Sequence, residues 1–237
     1  MPSPPPVVAS IGCWVIPMAR VRRGPKLSAT ARMARVLRVP LTADIEAGNG
    51  GGPHRWQKVS QKSSKLARLA SISRMGCQTQ MRRRGIEAPL HASGASRNAA
   101  RETGIPIVIN ARIDLCLKQI GDSASRFTET VRRAEAYMAA GADCIYPFAV
   151  TDAEAIGRLT KAIPAPVNIV GHVGTPDVAT LERIGVRCVS TASSLTMMAI
   201  DEIQRVAREL RQHGIFDILN YKTKRPDIQK LFPRSEQ

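Results

Sequence analysis

The chain has 237 residues and a formal net charge of +16, and this charge is distributed unevenly. Residues 1–101 contain 18 Lys and Arg against three acids, whereas residues 102–237 contain 17 against 16. The second part therefore has the composition of an ordinary soluble enzyme. The first part has the composition of a tail that binds nucleic acid, or of a segment that was never selected as protein sequence.

The cysteines and the apolar runs exclude several classes of protein. The five cysteines are widely spread and form no CxxC pair, so neither a disulfide framework nor a zinc site is expected. The apolar stretch at residues 7–19 is too short to span a bilayer and is interrupted by Gly12 and Pro17. Its basic residues follow the apolar run, which is the reverse of a secretory signal. These features predict a cytoplasmic protein without a membrane segment.

The first predicted elements along the chain are a helix at residues 27–37 and a strand at residues 39–44. On either side, residues 13–26 and 51–96 show no sustained helical or strand period and contain almost no acids. They are rich in Arg, Ser, Gln and Gly, so we expect these basic segments of the N-terminal 100 residues to be poorly ordered.

From residue 102 onward, predicted strands alternate with predicted helices. Short apolar runs predict strands at residues 105–111, 144–148, 166–170 and 186–190. Amphipathic spacing and capping residues predict helices at residues 122–140, 151–161, 175–184 and 193–212, the second of which opens on a TDAE capping box. Successive parallel βα units without a glycine-rich dinucleotide loop favour a (β/α) barrel. We therefore divide the chain into residues 1–101, a half-barrel at 102–214 and a helical tail at 215–237.

Polar residues follow several of the predicted strands, at the barrel end where function resides. Asp44 and Glu46 are two residues apart and leave one strand on the same side, as a site for a hard cation such as Mg²⁺ requires. Arg112, at the end of a neighbouring strand, has the planar fork that binds a substrate carboxylate. The alternative is that both acids are solvated loop residues and Arg112 is their salt-bridge partner. Asn168 and Ser190 are further strand-end candidates.

Four motifs in order carry a resemblance to a known family. TADIEAG at residues 42–48, INARID at 109–114, AAGAD at 139–143 and PVN at 166–168 closely resemble the isocitrate lyase/phosphoenolpyruvate mutase superfamily. The resemblance implies a TIM barrel, Mg²⁺ and a small 2-oxo-acid or enolate-type intermediate. Members, such as 2-methylisocitrate lyase-like and phosphonomutase-like proteins, make or break C–C bonds or act on C–P bonds. Homo-oligomers that exchange a C-terminal helix are common among them.

The resemblance also assigns roles to individual residues. Asp44 and Glu46 match the acidic pair around the metal, and Arg112 matches the catalytic arginine that holds the substrate carboxylate. Asn168 and Ser190 match substrate-binding positions at strand ends. Ile113 replaces the Thr that the family has after the arginine, which is a mild departure.

Larger departures lie in the basic part of the chain. The first strand and substrate loop of the family are expected before residue 8, and a GINLEDG strand is expected near residues 70–76, where the chain reads LASISRMG from residue 69. Neither this strand nor a KRCGH-like loop is present in the sequence. The resemblance therefore predicts an incomplete, apparently truncated (β/α)8 TIM barrel that lacks one central strand.

The genetic code offers an explanation for the missing motif. When the last base of each codon at residues 65–75 is joined to the next two bases, permitted codons spell AGAVGINLEDG. The same shift across residues 14–20 spells GYPDGE, another family segment. We therefore hypothesise that residues 13–30 and 51–96 are translated out of frame. The gene's nucleotide sequence tests this frameshift.

Three functions follow from these observations. The first is a Mg²⁺-dependent lyase-like enzyme that forms or consumes the enolate of a small oxo-acid. The second is a catalytically inactive, frame-shifted relative. The third is nucleic-acid binding through Arg82, Arg83 and Arg84, which is unlikely because no helix-turn-helix, zinc or RNP pattern accompanies the charge.

Overall fold

The computed structural model of the chain describes residues 8–10, 41–44, 75–79, 87–104, 107–224 and 226–227. It consists of two compact units, with the boundary between Ser193 and Ser194. The predicted helix at residues 27–37 lies outside the described residues, as does Glu46.

Seven parallel strands form the centre of the first unit. The described strands are β1 (Val8–Ser10), β2 (Leu41–Asp44), β3 (Met75–Thr79), β4 (Ile107–Ile113), β5 (Cys144–Pro147), β6 (Asn168–Val170) and β7 (Cys188–Ser190). Hydrogen-bonded ladders join them in the orders β2-β3-β4-β5 and β6-β7-β1. A parallel bridge between Ile145 and Val167 connects β5 to β6. The strands thus follow one another in the order that a βα barrel requires.

Among the described residues of the first unit, four helices connect the strands from β3 to β7. They are α1 (Glu87–Thr103), α2 (Ser123–Ala139), α3 (Ala153–Ala162) and α4 (Val178–Arg183). Asp122, Asp152 and Asp177 are the N-caps of α2, α3 and α4, and each accepts a hydrogen bond from the backbone N–H three residues later. The predicted capping box has Thr151 as the N-cap, whereas the N-cap in the structure is Asp152. Helix α3 therefore begins one residue later than predicted.

The two faces of β4 have different surroundings. Ala111 and Ile113 belong to a buried apolar cluster that also contains Tyr137 of α2, Ile156 of α3 and Leu181 of α4. This face of the sheet therefore packs against the helices. Because side chains alternate along a strand, Asn110 and Arg112 project from the opposite face. The helix layer thus covers one face and leaves polar residues on the other.

The start of β4 is tied to its neighbours by an arginine and an aspartate. Arg97 of α1 donates hydrogen bonds to the Asp143 carboxylate and to the carbonyl of Gly141, the second at 2.9 Å. The same carboxylate accepts the backbone N–H of Ile109 at 2.8 Å. These contacts join α1, β4 and the α2–β5 loop at the amino end of the strands, where residues of this fold serve stability.

Two described elements correct the expectation of poor order at residues 51–96. The sequence predicted that the strand between β2 and β4 is missing. In the structure this place is occupied by β3, which consists of residues 75–79. It has no long apolar run, and its pairing on both edges defines it. Helix α1 buries Ser93, Ser96 and Ala100, which lie on one helical face but are too small to give an apolar periodicity.

The predicted strands of the remaining chain are confirmed, with shifted ends. Strand β4 begins and ends two residues later than predicted, because its pairing with β5 continues through Ile113. Arg112 therefore lies inside the strand. Strand β6 begins at Asn168 rather than at residue 166, where a proline has no N–H for a ladder.

The second unit contains α5 (Ser194–His213) and a 3₁₀ helix at Phe216–Leu219. No residue of α5 is buried, and its exposed apolar side chains are Leu195, Met197, Met198, Ile200 and Ile203. Among the helices of the described residues, none is long and apolar enough to cross a membrane.

Candidate active site

Arg112 and Asp114 lie at the carboxyl end of β4 and form a nearly buried ion pair. Nε of Arg112 donates to Oδ1 of Asp114 at 2.6 Å, and the two side chains are 12% and 7% exposed. Arg112 lies in β4 and Asp114 is the residue directly after the strand, so at a spacing of two residues they share one side of the chain. The sequence suggested Asp44 and Glu46 as alternative salt-bridge partners of Arg112. The described partner is Asp114.

An aromatic ring covers one face of the Arg112 guanidinium. Cζ of Arg112 lies 3.6 Å from the centroid of the Phe148 ring, which directly follows β5. Tyr146 packs edge-on against the same ring, with 5.3 Å between centroids. The guanidinium is therefore stacked in a cation–π arrangement as well as ion-paired.

The outer edge of the Arg112 fork, formed by Nη1 and Nη2, has the geometry that matches a carboxylate. Among the described residues, none accepts a hydrogen bond from Nη1 or Nη2, because Asp114 uses only Nε. The terminal nitrogens of an arginine match the two oxygens of a carboxylate in a planar, bidentate geometry. The arrangement can thus bind a carboxylate at the carboxyl end of the strands.

Asn168 and Ser190 lie at opposite ends of their strands. Ser190 ends β7 as predicted, and its Oγ accepts the backbone N–H of Ala192 at 3.4 Å. Asn168 instead begins β6 and pairs in register with Cys188, so its prediction as a strand-end residue is wrong. Its side chain is 1% exposed, and its Oδ1 has no hydrogen-bond partner among the described residues. The late start of β6 after Pro166 explains the difference.

Asp44 ends β2, at the same end of the sheet as Arg112. In register, Asp44 lies beside Gln78 of β3, which lies beside Asn110 of β4. Only the backbone of Asp44 is described. The two strand ends that the sequence predicted to be neighbours are therefore separated by one strand.

Burial disfavours the thiolate form of two described cysteines, Cys116 and Cys144. Cys144 is buried in β5, and burial raises its pKa far above the usual range. Burial also raises the pKa of Cys116, although the charge of Arg126 partly opposes it. A thiol nucleophile needs a lowered pKa, so these residues act as small apolar side chains.

A family comparison identifies the chain. Residues 16–211 match the sequence model of phosphoenolpyruvate phosphomutase. The chain belongs to the phosphoenolpyruvate phosphomutase family. Its relatives lie in the superfamily that also contains isocitrate lyase-like enzymes, as the sequence motifs indicated.

Two curated proteins are similar in sequence to this chain of the phosphomutase family. An uncharacterized protein of Mycobacterium tuberculosis is 30% identical over 175 residues, which are 73% of this chain and 62% of the relative. An oxaloacetate decarboxylase of Ectopseudomonas mendocina is 26% identical over 187 residues, which are 76% of this chain and 62% of the enzyme. The chain thus spans about 62% of the length of these relatives.

Solved structures of the family share the fold. A protein assigned as a lyase/mutase from Burkholderia cenocepacia has a TM-score of 0.77 and 28% identity over 90% of this chain and 76% of its own. Phosphonopyruvate hydrolase, crystallised with oxalate and Mg²⁺, has a TM-score of 0.69 and 19% identity over 90% of this chain and 76% of its own. The second likeness concerns the fold alone. The α/β architecture of the described residues therefore matches the TIM-barrel superfamily.

Asn110 offers one oxygen of the kind that binds the magnesium ion implied by the family. Asn110 is 8% exposed, and its Oδ1 has no hydrogen-bond partner among the described residues. Amide and carboxylate oxygens are the ligands of hard cations, and Asp44 ends a strand two register positions away. Among the side chains that are described, no group of three or more His, Cys, Asp or Glu is close enough to hold a metal. The side chain of Asp44 and the whole of Glu46 lie outside the described residues, so a magnesium site at these two acids stays a prediction of the sequence.

Sequence reasoning missed three residues of this end of the fold. Phe148 was placed in a strand but given no role, because only polar strand-end residues were considered. Asn110 stands two residues before Arg112 on the same face of β4, a spacing that the alternation rule reveals. Thr191 follows Ser190, and its Oγ1 is buried without a hydrogen-bond partner among the described residues.

Proposed function

We propose that the chain is a Mg²⁺-dependent lyase-like enzyme that acts on a small 2-oxo-acid or its enolate and makes or breaks a C–C bond. The observation that carries this proposal is the Arg112 fork, which is ion-paired through Nε and whose Nη1 and Nη2 have no hydrogen-bond acceptor among the described residues. Such a fork suits a small carboxylate. The family match and the likeness to an oxaloacetate decarboxylase support the same class of substrate.

Each proposed site residue has a distinct task. Arg112 binds and orients the substrate carboxylate, and the Asp114 carboxylate keeps the guanidinium in place. Asp44 and Glu46 would hold Mg²⁺ after β2, and the Ser190 hydroxyl would contact the substrate at the end of β7. Asn168, which is buried at the start of β6, would contribute its Oδ1, which has no hydrogen-bond partner among the described residues. When bound, Mg²⁺ supplies positive charge that stabilises a developing enolate.

Purified protein and oxaloacetate test the reaction. Pyruvate release is followed by coupled NADH oxidation, with Mg²⁺ and with excess EDTA. We expect Mg²⁺-dependent release and a fall in kcat/KM of at least about 30-fold for Arg112→Lys, which loses the bidentate fork. Arg132→Lys, on the exposed face of α2, is the matched control and should keep full activity. Equal turnover by the protein and Arg112→Lys would contradict the assignment of Arg112.

We also propose a homo-oligomer and a cytoplasmic location. The exposed apolar side chains of α5, such as Met198 and Ile203, support contact with a second copy of the chain. Light scattering after size exclusion tests this, and Ile203→Glu should reduce the measured mass if α5 forms the contact. The described cysteines Cys116, Cys144 and Cys188 are free thiols, as expected in a reducing compartment.

The out-of-frame origin of residues 13–30 and 51–96 stays a prediction of the sequence. It implies that an intact relative encoded by the shifted frame has a third acidic residue near the metal. Sequencing the gene tests it directly, because the segments must read GYPDGE and GINLEDG in another frame. Were neither motif encoded in any forward frame, the hypothesis would be wrong.

A further inference from the structure

The surroundings of Arg112 restrict its guanidinium from two directions. The Asp114 carboxylate lies against Nε, in the guanidinium plane, at 2.6 Å. The Phe148 ring lies over the guanidinium, with Cζ 3.6 Å from its centroid. A single contact at Nε fixes one point of the fork but still allows the plane to tilt. The stacked ring removes this freedom, because tilting would lift the cation from the ring face.

Phe148 is itself held in place by its backbone and by a neighbouring ring. Its N–H donates to the carbonyl of Ile113 at 2.9 Å, immediately beside Arg112 on β4. The next residue, Ala149, has φ of 64°, a left-handed conformation that is costly for a residue with a Cβ. Tyr146 packs edge-on against the ring at an interplanar angle of 80°. The position of the ring is thus supported by contacts that do not involve Arg112.

We propose that Phe148 is a positioning residue, which fixes the plane of the Arg112 guanidinium so that its Nη edge binds a planar carboxylate. The carboxylate ligand in this inference rests on the proposed function. The stacking of Phe148 on Arg112 does not depend on that function. Phe148 acts only through Arg112 and takes no part in the chemistry. The Phe148 ring covers one face of the guanidinium, and a flat carboxylate in the guanidinium plane can bind Nη1 and Nη2 without displacing the ring.

The nuclear magnetic resonance of Arg112 tests the stack in the full chain without any ligand. A guanidinium over an aromatic face experiences a ring current, which moves its Hε resonance upfield. The Arg112 signal is assigned by its loss in Arg112→Lys. We expect an upfield Hε signal in the protein, its return towards the usual position in Phe148→Leu, and its retention in Phe148→Tyr. Because the hydrogen bond to Asp114 is common to both proteins, an Hε signal at the same position in the unchanged protein and in Phe148→Leu would overturn the proposal.

A second stacked arginine provides a matched control. Cζ of Arg158 lies 4.4 Å from the ring centroid of Phe127, on helices α3 and α2. Phe127→Leu makes the same chemical change as Phe148→Leu and removes a stack of the same kind. It should leave the Arg112 signal unchanged. If Phe127→Leu shifts Arg112 as much as Phe148→Leu does, the effect is a general disturbance and the positioning role fails.

Oxalate, the planar dicarboxylate bound by the related hydrolase, measures the consequence for binding. We expect oxalate affinity, measured by calorimetry in Mg²⁺ buffer, to fall about 5- to 20-fold in Phe148→Leu. Phe148→Tyr should recover it, and Phe127→Leu should not change it. An unchanged affinity in Phe148→Leu would refute the positioning role. Absence of oxalate binding by the unchanged protein would count against the proposed function, while the Arg112 signal would still decide the stack.

Discussion

Removing the Asp114 carboxylate should destabilise the protein, because it leaves the Arg112 charge without its described counter-ion. Both side chains are nearly buried, at 7% and 12% exposed, and the Nε to Oδ1 distance is 2.6 Å. Breaking a fully buried pair costs about 3–5 kcal/mol. This pair lies at a strand end and the guanidinium keeps its contact with Phe148, so we expect about 2–3 kcal/mol for Asp114→Ala.

Two further variants separate the charge from the hydrogen bond. Asp114→Asn keeps an oxygen that can accept from Nε but removes the negative charge, so the expected loss is about 1–2 kcal/mol. In Arg112→Gln with Asp114→Asn, no buried charge remains uncompensated. The double variant should therefore be more stable than the sum of the two single losses predicts.

Urea unfolding followed by circular dichroism gives the free energy of unfolding of each variant. The slope with urea must stay constant for the comparison to hold. Losses below about 0.5 kcal/mol for both Asp114→Ala and Asp114→Asn would refute the reasoning, since they would show a screened surface pair. Additive effects in the double variant would likewise show that the two side chains are not coupled.

Three further predictions concern stability. Hydrogen bonds from Arg132 and Arg133 lower the pKa of Glu129 from 4.5 to about 2, so its contribution is present above pH 4.5 and is lost between pH 4.5 and 2. Glu129→Gln should abolish that pH dependence in thermal unfolding, with a loss at pH 7 of at most about 1 kcal/mol. Asp152→Ala removes the α3 cap and should lower the free energy of unfolding in urea by about 1 kcal/mol, whereas Asp152→Asn should be neutral. Equal losses in the two variants would contradict the cap. Gly141→Ala should lower the free energy of unfolding by at least about 1–2 kcal/mol, because φ is 101° and the new Cβ would lie 3.3 Å from Arg97. Gly157→Ala, inside α3, should not destabilise the protein, and a neutral Gly141→Ala would contradict the reasoning.

The sequence predicted those elements of the fold in which the local sequence pattern and the tertiary packing favour the same secondary structure. Apolar runs predicted β4 to β7, and capping aspartates limited the helices between them to within a few residues. Strand β3 was not predictable, because its sequence MGCQT has no apolar period and its pairing on both edges defines it. Helix α1 escaped for a related reason, since its buried face consists of serines and alanine. Both β3 and α1 depend on tertiary contacts with residues that are distant in the sequence, so a short stretch of sequence does not predict them.

The sequence predicted those site residues whose positions follow from a single strand and its alternation of side chains. The position of Arg112 near the end of β4 follows from the apolar run before it, and Asp114 is the residue that directly follows the strand, two positions after Arg112. Phe148 requires knowledge that β5 pairs with β4 and that the two strand ends come level there. An aromatic residue after a strand is usually read as core, and only its position over the Arg112 guanidinium changes this interpretation. Residues that orient a charged group from a neighbouring strand are therefore hidden from sequence reasoning, even where the charged group itself is evident.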